Sequence, residues 1–292
     1  MFKRTIYLLL SSVLTLFSSY SYSSEVTLVR VLGQQSAEDV TQDYFYQLLG
    51  KALKAGSTDP YYTRLVDATS LTQGRSMQLL TDDIIDVYWM GTTIESENKF
   101  HAVKIPLMKG LLGYRVSILK KQNLSYFSQL NEAELKQKVA CQGEHWPDTK
   151  ILQANGYKVA AAGRYDAMFA MVNKGRCQYF PRAIFEGYGE LAVAQKTFND
   201  LVMLDDVLLH YPYPIYYFVN KKNIALSMAI EIGLEKLIDS GEFDSFMQNH
   251  KVTKYAFPLD KWKGKRIFQL NNPLLSKQTD PTNPRYWITT FN

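Results

Sequence analysis

The sequence predicts an α/β protein of two lobes, each a mostly parallel sheet flanked by helices, joined by two extended crossings. Three observations carry this. Residues 25–89 and 139–190 each read as strand–helix–strand–helix–strand. Alternation of that kind implies parallel pairing with right-handed crossovers. Between and after these units lie two extended stretches, 105–120 with Gly110 and Gly113, and 207–220 with Pro212 and Pro214.

The elements follow in order. Lys3 and Arg4 precede an apolar run at 6–17 and then small residues, the order of a secretory signal. Ser21 and Ser23 suit the positions before a cut, so residues 1–23 are read as the signal and the mature chain as starting near Ser24. The apolar run is short against the roughly 20 residues that span a bilayer. No cysteine stands at the expected cut, so no lipid anchor is expected and the product is placed in the periplasm.

A strand at 25–32 is followed by a helix capped by Thr41, with Tyr44, Phe45, Leu48, Leu49, Ala52 and Leu53 on its inner face. A strand at 61–67, a helix at 72–80 and a strand at 83–89 complete the first unit, which runs into Met90-Gly91-Thr92-Thr93. In the second unit, strands are expected at 139–142, 157–162 and 177–180. Its first helix starts at Pro147, where a missing N–H costs nothing, and stops at Asn155-Gly156. Its second places Ala167, Met168, Met171 and Val172 on one face and ends at Gly175. Residues 223–250 are helical, with Ala225, Met228, Ala229, Ile232 and Leu237 at core spacing and Gly241 as the break. The tail, with Pro258, Pro273, Pro281 and Pro284, is expected to be irregular and packed over the first unit.

Composition bounds the chemistry. A net charge of +5 is dispersed, apart from the cluster at 261–266, which reads as a solvated turn rather than a nucleic-acid site. His101, His145, His210 and His250 lack metal-ligand spacing, and no phosphate-binding glycine loop or nucleophile motif occurs, so no metal and no cofactor is expected. Glu144, His145 and Asp148 could be drawn as an acid–base set, but adjacent polar residues at a helix start serve capping and solvation. No catalytic residue is assigned. Cys141 and Cys177 fall on the first and third strands of one unit, neighbours in a doubly wound order. They are either a disulfide or two buried thiols.

In open α/β sheets ligands sit beyond the carboxyl ends of the strands; here those places are 142–149 and 181–186. With DVYWMGTT at 86–93, KGLLGYRV at 109–116, CQGEHWPDT at 141–149, GRCQYFPRAIFEGY at 175–188 and YYFVNKKN…GLEKLIDSGEFDSF at 216–246, nearly all of the mature chain resembles the type II periplasmic solute-binding proteins, in particular the family 3, polar amino acid branch. The resemblance implies lobe 1 from 24–112 and 209–292, lobe 2 from 113–208, and closure around a ligand by hinge motion. It implies a monomer that captures a small polar solute and presents it to a membrane ABC permease.

The family's amino-acid binders hold the ligand carboxylate with an Arg shortly after the turn matched by Gly91–Thr93. Here Lys99 is the nearest cation. They hold the amine with an Asp after the strand matched by 177–180, where this chain has Arg182. The departures argue against an ordinary α-amino acid, and a guanidinium at 182 favours an anionic ligand. Candidate ligand residues are Trp89, Gly91, Thr92, Arg115, Trp146, Asp148, Thr149 and Arg182. Each has a plainer reading: Gly91 serves the turn, Arg115 pairs with an acid, Trp146 covers the helix start, Asp148 answers the helix dipole, and Tyr211 and Tyr213 pack the hinge. Two other functions stay open, a ligand sensor docking on a membrane receptor and a dehydratase-like enzyme using Glu144, Asp148 or Glu186.

Overall fold

The structure, a computed structural model, describes residues 26–34, 41–67 and 71–291. The expected signal segment lies outside them. No helix among the described residues is long and apolar enough to cross a membrane.

The first lobe begins with β1 (Thr27–Leu32), α1 (Gln42–Gly56), β2 (Tyr61–Val66), α2 (Gln73–Thr81) and β3 (Val87–Gly91). β1 and β2 pair in parallel, Thr27 beside Tyr61 through Leu32 beside Val66. β3 starts at Val87, not near 83, because Asp83 has a positive φ and closes a turn. The backbone N–H of Asp86 then bonds the Arg30 carbonyl at 2.8 Å, which seats β3 next to β1. The buried face of α1 is the expected one, Tyr44, Phe45, Leu48, Leu49, Ala52 and Leu53. Thr41 precedes the helix in αR geometry, and its side chain accepts no capping bond. Thr72 does cap a helix, accepting from the N–H of Arg75 at the start of α2.

After α3 (Ile94–Lys99) and β4 (His101–Val103) the chain crosses into β5 (Tyr114–Lys120), and then α4 (Leu124–Gln129) and α5 (Glu132–Lys136). The block β6 (Val139–Gly143), α6 (Pro147–Ala154), β7 (Lys158–Ala162), α7 (Tyr165–Asn173), β8 (Tyr179–Ala183) and α8 (Gly187–Ala194) follows the expected order. β6 lies parallel to both β7 and β8. Pro147 holds the first position of α6, as expected. Cys141 and Cys177 form a disulfide with Cα atoms 5.5 Å apart, because β6 and β8 are neighbours.

β9 (Leu201–His210) returns antiparallel to β5, and β10 (Ile215–Val219) enters the first lobe between β3 and β4, antiparallel to both. Crossing strands run against the units they join because the chain reverses as it changes lobe. Two steps along β5, from Arg115 to Ser117, match five along β9, from Leu209 to Leu204. Such slips re-aim side chains, and this one sits at Arg115.

Helices α9 (Ile224–Asp239) and α10 (Glu242–Asn249) pack over the first lobe. The face of α9 differs from the expected one. Leu226, Ala229, Ile230, Gly233, Leu234 and Leu237 are buried, whereas Met228 and Ile232 are 53% and 43% exposed. α1 decides this: a Cβ on Gly233 would lie 1.8 Å from the Ala52 carbonyl oxygen, so backbone meets backbone there.

The tail also departs from expectation. Arg266–Gln269 form β11, which extends the second lobe's sheet as a parallel partner of β9, giving the order β11-β9-β5-β8-β6-β7. The neighbouring Lys265 pairs with Asp206 at 2.8 Å. Beyond β11 the tail crosses back. Asn271 exchanges bonds with Asn155 in the second lobe, and the Leu274 carbonyl accepts from the N–H of Ile94 at 3.0 Å in the first. Trp287 then covers Gly110, and Ile288 bonds the Lys109 carbonyl at 2.9 Å.

Candidate ligand-binding site

Between the lobes lies a chamber of about 170 Å³ that opens into a wider vestibule of about 830 Å³. Two stretches of the second lobe, both at carboxyl ends of strands, supply most of its charge. At the end of β6 the chain turns at Trp146 into α6, which brings Asp148 into its first turn. At the end of β8, Arg182 is followed by Glu186, which precedes α8, and by Glu190 in its first turn.

These groups and Arg115 of β5 form a buried ion network. Arg182 meets Glu190 in a two-point pair, Nε to Oε2 and Nη2 to Oε1, both at 2.6 Å. Its Nη2 also lies 2.9 Å from Glu186 Oε2. The guanidinium stacks near Trp146, Phe180 and Tyr165, with ring centroids at 5.0, 5.2 and 5.5 Å. Arg115 Nη2 lies 2.6 Å from Asp148 Oδ1 and its Nη1 3.7 Å from Glu186 Oε2. The Tyr211 hydroxyl donates to the same Asp148 oxygen, and Arg115 sits over the rings of Tyr211 and Tyr213. Arg115 and Glu190 are each only 2% exposed.

Burial at this level requires pairing. Burial alone would lower the pKa of both arginines, but their partners outweigh it. Asp148, then Tyr211 and Glu186, hold Arg115 above its ordinary value, and Glu186 and Glu190 hold Arg182 well above. Glu186 is pushed up from the ordinary carboxyl value by burial and by Glu190, against the pull of Arg182 and Arg115. Burial also raises Tyr211 and Tyr213 well above the ordinary phenol.

The expectation that Arg182 offers a cation to an anionic solute is therefore corrected. Its Nε and Nη2 are already taken by Glu190 and Glu186, acids that stand eight and four residues further along the sequence.

The first lobe faces the network with neutral groups. Trp89 Nε1 donates to Gln42 Oε1 at 3.2 Å, and Thr41, Phe45, Gln73 and Met90 complete that wall. Gly91 lies at the end of β3 against the Tyr213 ring; a Cβ there would fall 2.1 Å from the Tyr213 hydroxyl oxygen. That contact, not the turn, requires the glycine.

Of the residues singled out from sequence, Trp89, Gly91, Arg115, Trp146, Asp148 and Arg182 line the chamber. Thr92 and Thr149 do not. The Thr92 hydroxyl donates to Glu97 and the Thr149 hydroxyl to the Gly143 carbonyl, each at 2.7 Å, so both hold turns together. Lys99 stands in the vestibule, with Glu144, His145 and Lys150 across from it. Gln42, Phe45, Gln73, Tyr165 and Glu190 were not singled out. Gln42 and Phe45 belong to an amphipathic helix whose first turn also reaches the cleft, which periodicity does not reveal. Among the described residues no cluster of His, Cys, Asp and Glu could hold a metal ion.

No protein-family model and no curated protein matches the chain. Solved structures do. A mutant arginine-binding protein of T. maritima is 19% identical with a TM-score of 0.55, covering 76% of this chain and 93% of its own. An arginine-specific periplasmic binding protein of Salmonella typhimurium is 16% identical with a TM-score of 0.56, covering 76% and 98%. A His/Glu/Gln/Arg/opine family-binding protein of Silicibacter pomeroyi, in complex with lysine, is 9% identical with a TM-score of 0.57, covering 77% and 96%. The chain thus has the two-lobed type II periplasmic binding protein fold, and its structural neighbours are of the amino acid-binding kind that its sequence resembles.

Proposed function

We propose that this protein is an exported solute-binding protein that captures a small polar solute between its lobes and presents the closed form to a membrane ABC permease. The observation that carries the reading is the chamber itself, walled by both lobes and holding a desolvated ion network on one side. A ligand touching both walls has more contacts when they approach, and only such differential affinity can shift an open–closed equilibrium. The amino-acid binders among the structural neighbours support a solute of that size.

The lobes are taken as 24–112 with 209–292 and as 113–208, with β11 lent by the tail to the second sheet. Export through a signal ending near residue 23, a periplasmic location and a monomeric state belong to the same proposal. So does the absence of chemistry: Asp148 and Glu186 are tied to arginines, and Glu144 stands outside in the vestibule.

A thermal-shift screen of residues 24–292 against amino acids, carboxylic acids, small peptides and amines tests the reading. Binding stabilises the folded state by RT ln(1 + [L]/Kd), about 2.7 kcal/mol at 100 Kd. A hit that disappears in Asp148→Ala supports the proposal, and a screen without any hit counts against it.

A further inference from the structure

We infer that the solute taken into the chamber is a small organic cation without a carboxylate, an amine or a guanidine, bound through Glu186. This rests on the solute-binding reading and names its substrate class.

The charges lining the chamber do not balance. Asp148, Glu186 and Glu190 face only Arg115 and Arg182, an excess of one carboxylate. Glu190 is satisfied on both oxygens by Arg182. Asp148 holds Arg115 and the Tyr211 hydroxyl. Glu186 is the group left over. Its Oε2 is shared among Arg182, the more distant Arg115 and the Ala183 N–H at 3.3 Å, while its Oε1 takes no hydrogen bond from the described residues.

The opposite wall adds no charge to compensate, since Lys99 lies out in the vestibule and the lining from the first lobe is neutral. Aromatic rings close the space on several sides, with Trp146 and Tyr165 from one lobe and Phe45 and Trp89 from the other. Aromatic faces favour a cation and offer nothing to a carboxylate. A carboxylate entering the chamber would meet three acids and two guanidinium groups already paired. Arg115 Nε and Nη2 are both buried without a hydrogen-bond partner, Nη2 meeting Asp148 only as an ion pair, and a water or a neutral acceptor satisfies them without adding negative charge beside Asp148. The chamber is smaller than the cavities that hold drug-sized ligands, so it encloses the charged end of the solute, with the vestibule open to the rest.

Protonation gives the inference a sign. Glu186 is faced by Arg115 from β5, Asp148 from α6, Arg182 from β8, Glu190 from α8, and Tyr211 and Tyr213 from the crossing. Burial and Glu190 favour its neutral form in the empty protein. A bound cation favours the ionised form, so binding releases a proton. Affinity then rises with pH through the range where Glu186 titrates, by at most about tenfold per pH unit for one proton.

Calorimetry on residues 24–292 decides the matter, using agmatine and putrescine against arginine, lysine and glutamate. The amines are expected to bind at least about tenfold more tightly than the amino acids, the scale of one charge-assisted hydrogen bond. Their affinity should rise with pH, fall about 10- to 100-fold in Glu186→Gln, and return in part in Glu186→Asp. Tighter binding of an amino acid, or an affinity that falls as pH rises, overturns the inference and leaves the solute-binding reading standing. If neither group binds, and the broader screen is also empty, both fail together.

Discussion

The two walls of the cleft are built on opposite principles. The second lobe presents five ionisable side chains, all nearly buried and tied into one network. The first lobe presents two glutamine amides, a threonine and eight large apolar or aromatic side chains. Charges are costly to strip of water at the moment a ligand is enclosed. On the proposed reading that cost is met on folding, within the second lobe, and the wall that closes over the ligand is neutral and cheap to desolvate. One lobe sets the electrostatics and the other supplies fit.

Substitutions can break this contrast. Glu190→Ala is expected to have the largest effect, because it leaves the Arg182 guanidinium buried with Glu186 as its remaining acid. Removing one member of a buried pair costs about 3–5 kcal/mol, and urea unfolding of the empty protein measures it. A loss below about 1 kcal/mol, the scale of an exposed pair, would mean that the network is hydrated rather than sealed.

Replacing Cys141 and Cys177 together by alanine comes next. The bridge joins residues 36 apart, and closing a loop of that length contributes about 4 kcal/mol in the chain-entropy model. The loss should fall on the second lobe, read by hydrogen exchange in β6 and β8, with the first lobe's β1 and β2 unchanged.

The smallest change belongs to the neutral wall. Gln42→Ala removes the acceptor of the Trp89 indole. It should cost about 0.5–1.5 kcal/mol of ligand affinity and little stability, as titration and unfolding on the same variant would show. If Gln42→Ala weakened binding more than Asp148→Ala did, the division of labour between the walls would be wrong.

How much of this was legible in the sequence varied with the element. The two helices between 147 and 175 were clear because they are punctuated, Pro147 opening one and Asn155-Gly156 and Gly175 closing the two, whereas the third strand, expected at 177–180, lies at Tyr179–Ala183. The inner face of α1 was clear because its apolar residues occupy one stripe. α9 was not, because it is apolar nearly all round, and a pattern that includes Ile224, Met228 and Ile232 permits more than one buried face. Contact with α1 through Gly233 settles the choice, a tertiary fact. β11 was invisible for another reason. Four residues beside a lysine-rich turn are too few to show a period, and they are a strand only because the edge of β9 is open to them. The site was half legible. Its residues lay where strand ends predict, but Arg182 was read alone, and its meaning lies in Glu186 and Glu190, which the turn after β8 and the start of α8 bring back to it.

The tail carries a last consequence, about order in time. β9 lacks a neighbour on one side until Arg266–Gln269 exist, and Gly110 lacks its cover until Trp287 does. Both lobes therefore wait on the final stretch of the chain. Under the proposed export, a polypeptide delivered N-terminus first would complete neither this sheet edge nor the cover over Gly110 until those residues had emerged. On that account, removing residues 266–291 should trap the chain short of its native fold, though every residue lining the inner chamber would still be present.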